Sequence, residues 1–276
     1  MSDVQVSTRP VLVALDIDGT LLLQDESLSE GILEAIRDAE AAGHTPMIAP
    51  GRSWHTVQRI MRELGLAPDY VVASSGAVIL RRDESDATGY APFKVEAFGP
   101  AGVLTLLREH LPEARYMVEQ PDGARLYTED IPEWELGRAK QVPFEVMLEV
   151  PVSRVVVVSP THDNDDFLRL VESIGLNQVS YAVGWTAWLD IAPHGVNKGT
   201  ALEQVREWLG FAPADVLVIG DGRNDLEMFA WAREAGGRAF AMGQGPQEVL
   251  DAATHITGTV HEGGAARVLR DLAANA

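Results

Sequence analysis

The stretch Val11-Leu12-Val13-Ala14-Leu15-Asp16-Ile17-Asp18-Gly19-Thr20 decides the fold. An unbroken apolar run ends in two acids placed two residues apart. Such a run suits a strand buried on both faces, as in a parallel sheet covered by helices. Gly19 permits the tight turn out of the strand. The carboxyl ends of parallel strands are where α/β proteins bind ligands, so Asp16 and Asp18 stand where chemistry is expected. Two acids there suit a metal site, or a nucleophile with an acid/base partner; an acidic turn after a strand is the plainer reading.

Outward from this strand, Ser27 and Ser29 are candidate caps for a helix running to about residue 42. Ile32, Leu33 and Ile36 form its apolar face and Gly43 ends it. Residues 45–49 read as a second strand, 51–53 as a turn into a helix ending near Gly65, and 70–73 as a third strand. This alternation argues for a parallel sheet with crossover helices. After about Arg81 the pattern changes. Strand-like pieces at 94–98, 115–119, 145–148 and 152–159, with helices over 101–110 and 164–174, predict an α+β insert with an antiparallel sheet. Residues 120–143, rich in Pro and acids, have no assigned element. Past Trp185 the first rhythm returns: a helix over 196–209, a strand over 216–220, a helix over 226–232, a strand over 238–242 and a helix over 264–273.

Composition narrows the function. The 276 residues carry a formal net charge of −19 and no cysteine. A surface this acidic repels phosphate backbones, which opposes nucleic-acid binding. Without cysteine there are no disulfides or thiolate metal sites, and a reducing cytoplasm is the expected setting. No run reaches the ~18 apolar residues of a membrane span, and the polar residues 1–10 do not read as a signal peptide.

Two further clusters join the first pair. Gly220-Asp221-Gly222-Arg223-Asn224-Asp225 follows a second aliphatic strand, and an acidic group at a second strand end suits a hard cation held by oxygen. Its plainer reading is a polar loop in which Asn224 caps the next helix. Lys198 in Gly195-Val196-Asn197-Lys198-Gly199 is a solvated charge by default, and beside the acids a counter-charge for a nucleophile and for phosphate.

Together these residues resemble the haloacid dehalogenase-like phosphatases. DIDGT at 16–20 matches the first motif of that family, Lys198 the third and GDGRND at 220–225 the fourth, in the family's order. LLLQDESLSEGILEAI at 21–36, GVNKGTAL at 195–202, NDLEMF at 224–229 and AMGQGPQEVLDAATHIT at 241–257 resemble its Cof-type (IIB) branch. The resemblance implies an α/β fold: a Rossmann-like parallel-sheet core, residues 1–82 and 187–276, with an inserted α+β cap of type C2B over 83–186. It implies Asp16 as nucleophile, Asp18 as general acid/base and Lys198 as charge stabiliser. It also implies Mg²⁺ held by the Asp16 carboxylate, the Asp18 carbonyl and Asp221, with Asp225 completing or orienting that shell. Gly51, Arg52 and Asn224 would bind phosphate. The implied partner is a small phosphorylated metabolite, sugar phosphates especially, for a monomer or homodimer with no nucleic acid and no membrane. A phosphotransferase or mutase using the same aspartyl-phosphate is one alternative; a low-activity binding protein that keeps the site is another.

One departure bears on rate. The family places Thr or Ser before Gly-Arg in its second motif, where the hydroxyl binds the phosphoryl group; here Ile48-Ala49-Pro50-Gly51-Arg52-Ser53 has Pro50. Proline has neither hydroxyl nor N–H. Ser53 would substitute only with a rearranged loop, and Pro50→Thr is expected to raise kcat/KM. Ser74-Ser75-Gly76-Ala77 is a smaller departure, since many relatives have Asn before this Gly. Arg125 and Tyr127 are candidates to face substrate. Trp185 and Trp188 stand near the return to the core, where packing is the simpler role. The histidines, among them His55, His194 and His261, lack metal-ligand spacing. Gly243-Gln244-Gly245 is too short to argue for nucleotide binding.

Overall fold

A computed structural model describes residues 9–129, 137–176, 179–183 and 187–276. In chain order the strands are β1 Leu12–Leu15, β2 Thr45–Ile48, β3 Tyr70–Ala73, β4 Val78–Arg82, β5 Tyr90–Val95, β6 Arg115–Glu119, β7 Arg125–Tyr127, β8 Ala139–Gln141, β9 Arg154–Val158, β10 Val179–Val183, β11 Trp188–Pro193, β12 Val216–Gly220, β13 Arg238–Ala241 and β14 His255–Ile256. The helices are α1 Ile32–Ala41, α2 Trp54–Leu64, α3 Ala101–His110, α4 Phe144–Met147, α5 Asn164–Ile174, α6 Lys198–Leu209, α7 Leu226–Glu234, α8 Gln247–Ala252 and α9 Gly264–Ala274.

Among the described residues, the strands form three sheets. The first is parallel throughout, in the order β14-β13-β12-β1-β2. Strand β1, between β12 and β2, alternates between two cores. Val13 and Leu15 pack with α1, α2 and α9, while Leu12 and Ala14 pack with α6 and α7. Both faces are covered, so every residue of β1 and of β12 is buried and both strands are apolar throughout. Because β1 lies beside β12 in register, Leu15 pairs with Ile219, and the loops that follow the two strands emerge side by side. This adjacency brings Asp16 to Asp221.

The second sheet, β10-β11-β9-β6-β7-β8, is antiparallel except between β7 and β8, and comes from the middle of the chain. It has its own apolar cluster, with Tyr116, Val155, Val157 and Leu189 packed against Leu104 and Leu107 of α3 and Phe167 and Val171 of α5. The α/β architecture with an inserted antiparallel sheet agrees with the sequence expectation.

Several local expectations differ. Tyr70–Ala73 was expected in the parallel sheet, yet it pairs antiparallel with β4, and β5 pairs with β4 in turn. Tyr90, expected in the insert, therefore packs into the β1 core. Residues 145–147, expected in a strand, lie in the short helix α4, whose N-cap is Pro143 and C-cap Leu148; the apolar pair Val146 and Met147 is as compatible with a turn of helix as with a strand. Trp188–Pro193 belongs to the inserted sheet through its pairing with β9. Neither Ser27 nor Ser29 caps α1; the N-cap is Gly31 at φ 72. Trp185 lies outside the described residues.

Candidate active site

Asp16 follows β1 and is only 3% exposed. Its amide donates to the Ile219 carbonyl at 3.0 Å, which ties it to β12. From the other side comes Lys198, the first residue of α6 and fully buried. Its Nζ donates to Asp16 Oδ1 and to Asp225 Oδ1, each at 2.6 Å. Asn197 fixes the start of that helix by accepting the Thr200 amide at 2.8 Å, a capping arrangement that sets where the lysine points.

Asp225 has both oxygens engaged. Oδ1 takes the lysine, and Oδ2 accepts the amides of Asp221 and Gly222 at 2.9 and 3.0 Å. It therefore shapes the loop that presents Asp221. One carboxylate oxygen each from Asp16, Asp221 and Asp225 falls within 4.8 Å of the others. Gly19, at φ 72, passes so near Asp221 that any Cβ there would collide with its carboxylate. Gln244 braces the same corner: its Nε2 donates to the Gly19 carbonyl at 2.6 Å and its Oε1 accepts the Val260 amide at 3.0 Å.

The electrostatics are unbalanced. Three buried carboxylates face one ammonium. Burial pushes the Asp16 carboxyl up to about 7, with Lys198 pulling it down and Asp225 and Asp18 pushing it further up. Burial and the neighbouring Asp16 and Asp225 push Asp221 up to about 9. For Lys198, burial alone lowers the pKa, but Asp16 and Asp225 outweigh it and the ammonium is held above its usual range. Anionic oxygens this close, with a residual negative charge, suit a hard divalent cation.

Asp18 stands apart from this cluster. It is exposed, and Arg52 grips it through Nε to Oδ2 at 2.9 Å and Nη2 to Oδ1 at 2.5 Å. The same guanidinium reaches Glu26 at 2.9 Å. Gly51 and Asn224, expected to bind phosphate, meet: a Cβ built on Gly51 would stand 3.2 Å from Asn224 Nδ2. Asn224 is not the cap of α7, whose N-cap is Asp225.

Of the groups that the inserted sheet contributes, sequence reasoning named Arg125 and missed Asp190, Arg154 and Glu119. Asp190 of β11 is gripped by Arg154 of β9 through two hydrogen bonds of 2.5 and 2.6 Å. Its Oδ2 lies 3.8 Å from the Gly51 Cβ position. Glu119 of β6 accepts from Ser74 Oγ at 3.2 Å and from Arg125 Nε at 3.4 Å. Arg125 also donates to Ser53 Oγ, so this residue does face the core. No spacing marks Asp190, Arg154 and Glu119, because each is singled out only by its partners in the folded protein. A pocket between the two layers is lined by Ser75, Tyr181, Asp190, Lys198, Asn224 and Glu227, among others.

Fold and site define an α/β enzyme with an acidic, lysine-bridged centre at the strand ends. A family model described as haloacid dehalogenase-like hydrolase matches residues 13–269, and the chain belongs to that family. It is 30% identical over 273 residues to the putative phosphatase YxeH of Bacillus subtilis (strain 168), covering 95% of this chain and 97% of that one. It is 25% identical over 274 residues to the 5-amino-6-(5-phospho-D-ribitylamino)uracil phosphatase YitU of the same organism, covering 96% and 98%. Among solved structures, the subclass IIB sugar phosphatase BT4131 shares the fold with a TM-score of 0.76 at 18% identity, covering 95% and 98%.

Proposed function

We propose that this protein is a magnesium-dependent phosphatase acting on small phosphomonoesters, sugar phosphates among them, through an aspartyl-phosphate on Asp16. The observation that carries the reading is the bridge of Lys198 between Asp16 and Asp225, with Asp221 alongside. That arrangement sets a buried carboxylate nucleophile against a buried ammonium and places two further carboxylates beside it. The name of YitU, a phosphatase of 5-amino-6-(5-phospho-D-ribitylamino)uracil, supports the substrate class.

Asp16 and Asp221, with the Asp18 carbonyl, would hold Mg²⁺, and Asp225 would orient the shell. Bound there, the ion supplies charge neutralisation for an anionic ester in an anionic site. Asp16 attacks phosphorus, the ester P–O bond breaks, and Asp18 protonates the departing oxygen. Asp18 then takes a proton from water as that water attacks phosphorus. The acyl-phosphate bond breaks, inorganic phosphate leaves and Asp16 is regenerated. Lys198 neutralises Asp16 and the phosphoryl oxygens throughout. Asp18 presents both oxygens to Arg52, so proton exchange requires that pair to part when substrate enters. A cytoplasmic setting fits a chain without cysteine; among the described residues no helix is long and apolar enough to cross a membrane.

The test is a phosphomonoester panel assayed for phosphate release with Mg²⁺, with EDTA, and with Asp16→Asn. Release that needs Mg²⁺ and disappears in Asp16→Asn is expected. Turnover surviving Asp16→Asn would refute the mechanism. A phosphorylated acceptor in place of free phosphate would point to a phosphotransferase, and no release from any ester to a binding protein.

A further inference from the structure

The turn after β3 is held in an unfavourable conformation. Ser74 has φ 50, Ser75 φ 52 and Gly76 φ 100. Consecutive left-handed residues are rare, and serine pays a steric cost there that glycine escapes. The surroundings impose the shape. Ser74 N–H donates to the Arg52 carbonyl at 2.9 Å and Ser75 N–H to the Pro50 carbonyl at 3.2 Å. Ser74 Oγ is taken by Glu119 of the inserted sheet. Gly76 lies so close to the Asn197 carbonyl that a Cβ would collide with it, which seats the turn against the start of the Lys198 helix.

This framework aims one hydroxyl at the site. Ser75 Oγ is buried and has no hydrogen-bond partner among the described residues. It lines the same pocket as Lys198 and Asn224. It lies 3.4 Å from the Gly51 Cβ position, on the side where Asn224 Nδ2 also points. A buried hydroxyl without a partner is costly and uncommon, and strain maintained around one points to a ligand that completes it. Ser53, the other hydroxyl near Pro50, is committed to Arg125.

We propose that Ser75 Oγ is a hydrogen-bond donor to the phosphoryl group, supplying from the turn after β3 the hydroxyl that Pro50 removes from the loop after β2. The proposal rests on the phosphatase reading of the same site. It makes the second-motif departure a relocation of one donor, so that the phosphoryl oxygens meet Ser75, the Gly51 amide and Lys198.

The test uses Ser75→Gly, which deletes the hydroxyl and relieves the left-handed strain, so folding is not at risk; Ser75→Ala is the second variant. Binding of inorganic phosphate in the presence of Mg²⁺ is measured by titration calorimetry, and kcat/KM on the best ester of the panel. Both variants should bind phosphate about tenfold or more weakly and lose about 10- to 100-fold in kcat/KM. Adding Pro50→Thr to Ser75→Gly should restore most of the loss, while in the wild type it should give a smaller gain. Wild-type phosphate affinity in Ser75→Gly overturns the proposal, as does a wild type that binds no phosphate, or a loss that Pro50→Thr leaves untouched. If the wild type binds phosphate but hydrolyses no ester, the phosphatase reading falls, and the affinity comparison still decides the role of Ser75.

Discussion

Lys198 Nζ donates to Asp16 Oδ1 across 2.6 Å although the two residues are 182 positions apart in the chain. Neither side chain is exposed by more than 4%. A pair this buried is held in place by both its members, and removing one strands the other.

Lys198→Met keeps the apolar stem and removes the charge. It leaves Asp16 and Asp225 buried without their cation, which typically costs about 3–5 kcal/mol. Urea unfolding at neutral pH should show a loss of that order, and phosphate release should fall by about 10²-fold or more. A Lys198→Met protein as stable as the parent would contradict the assigned role of the bridge. Adding Asp225→Asn should recover part of the stability and none of the turnover.

The raised carboxyls make stability depend on pH in a stated direction. In the unfolded chain Asp16 and Asp221 titrate near 3.8, whereas in the folded chain they hold their protons to about 7 and about 9. The native state therefore binds more protons across that window. The contribution of these groups is fully present below the unfolded value and is lost as pH rises through about 7 and then about 9. In EDTA, unfolding free energy should drop between about pH 5 and pH 9 by more than about 1.4 kcal/mol, the equivalent of one pKa unit. With Mg²⁺ the drop should shrink, because ion binding favours the ionised, folded site. Identical pH slopes with EDTA and with Mg²⁺ would mean that these carboxylates do not hold the ion.

Arg154 and Asp190 form a buried pair within the inserted sheet, with side chains 7% and 14% exposed. Asp190→Ala should destabilise by about 3 kcal/mol, because Arg154 loses a two-pronged partner inside the protein. Arg154→Met combined with Asp190→Leu should cost much less than the sum of the single changes. Chemical denaturation of the four proteins of that cycle measures the coupling, and additive losses would deny it.

Gly19 has φ 72 and no room for a Cβ beside Asp221. Gly19→Ala combines left-handed strain of about 1–2 kcal/mol with displacement of Asp221. The Mg²⁺ concentration for half-maximal activity should rise about tenfold or more, with thermal unfolding lowered only slightly once Mg²⁺ is saturating. An unchanged Mg²⁺ requirement would show that Asp221 does not need its present position.

Much of the core was legible in the chain because its signals are local. Apolar runs at 11–15 and 216–220 mark strands covered on both faces, and both were found as expected. Ala101–His110 and Asn164–Ile174 match their expected bounds because helical periodicity persists over several turns. The failures are short or depend on partners. Tyr70–Ala73 reads as one more buried strand, and nothing in its four residues says that it pairs antiparallel with β4. Pro50 was legible as a missing hydroxyl and Ser53 as its nearest substitute, but only the structure shows Ser53 bound to Arg125 and, among the described residues, Ser75 Oγ buried without a partner.

The sequence by itself determined the elements of the core, the acids that end β1 and β12, and the lysine that serves them, because backbone propensity and apolar patterning act over a few residues. Only the tertiary structure decided which carboxylate takes which partner. It seated Lys198 between Asp16 and Asp225, turned Asp18 to Arg52, and set Glu119, Arg125, Arg154 and Asp190 over the strand ends. Those choices follow from burial and from charges brought together across the fold, and in a chain neither exists until the sheets have formed.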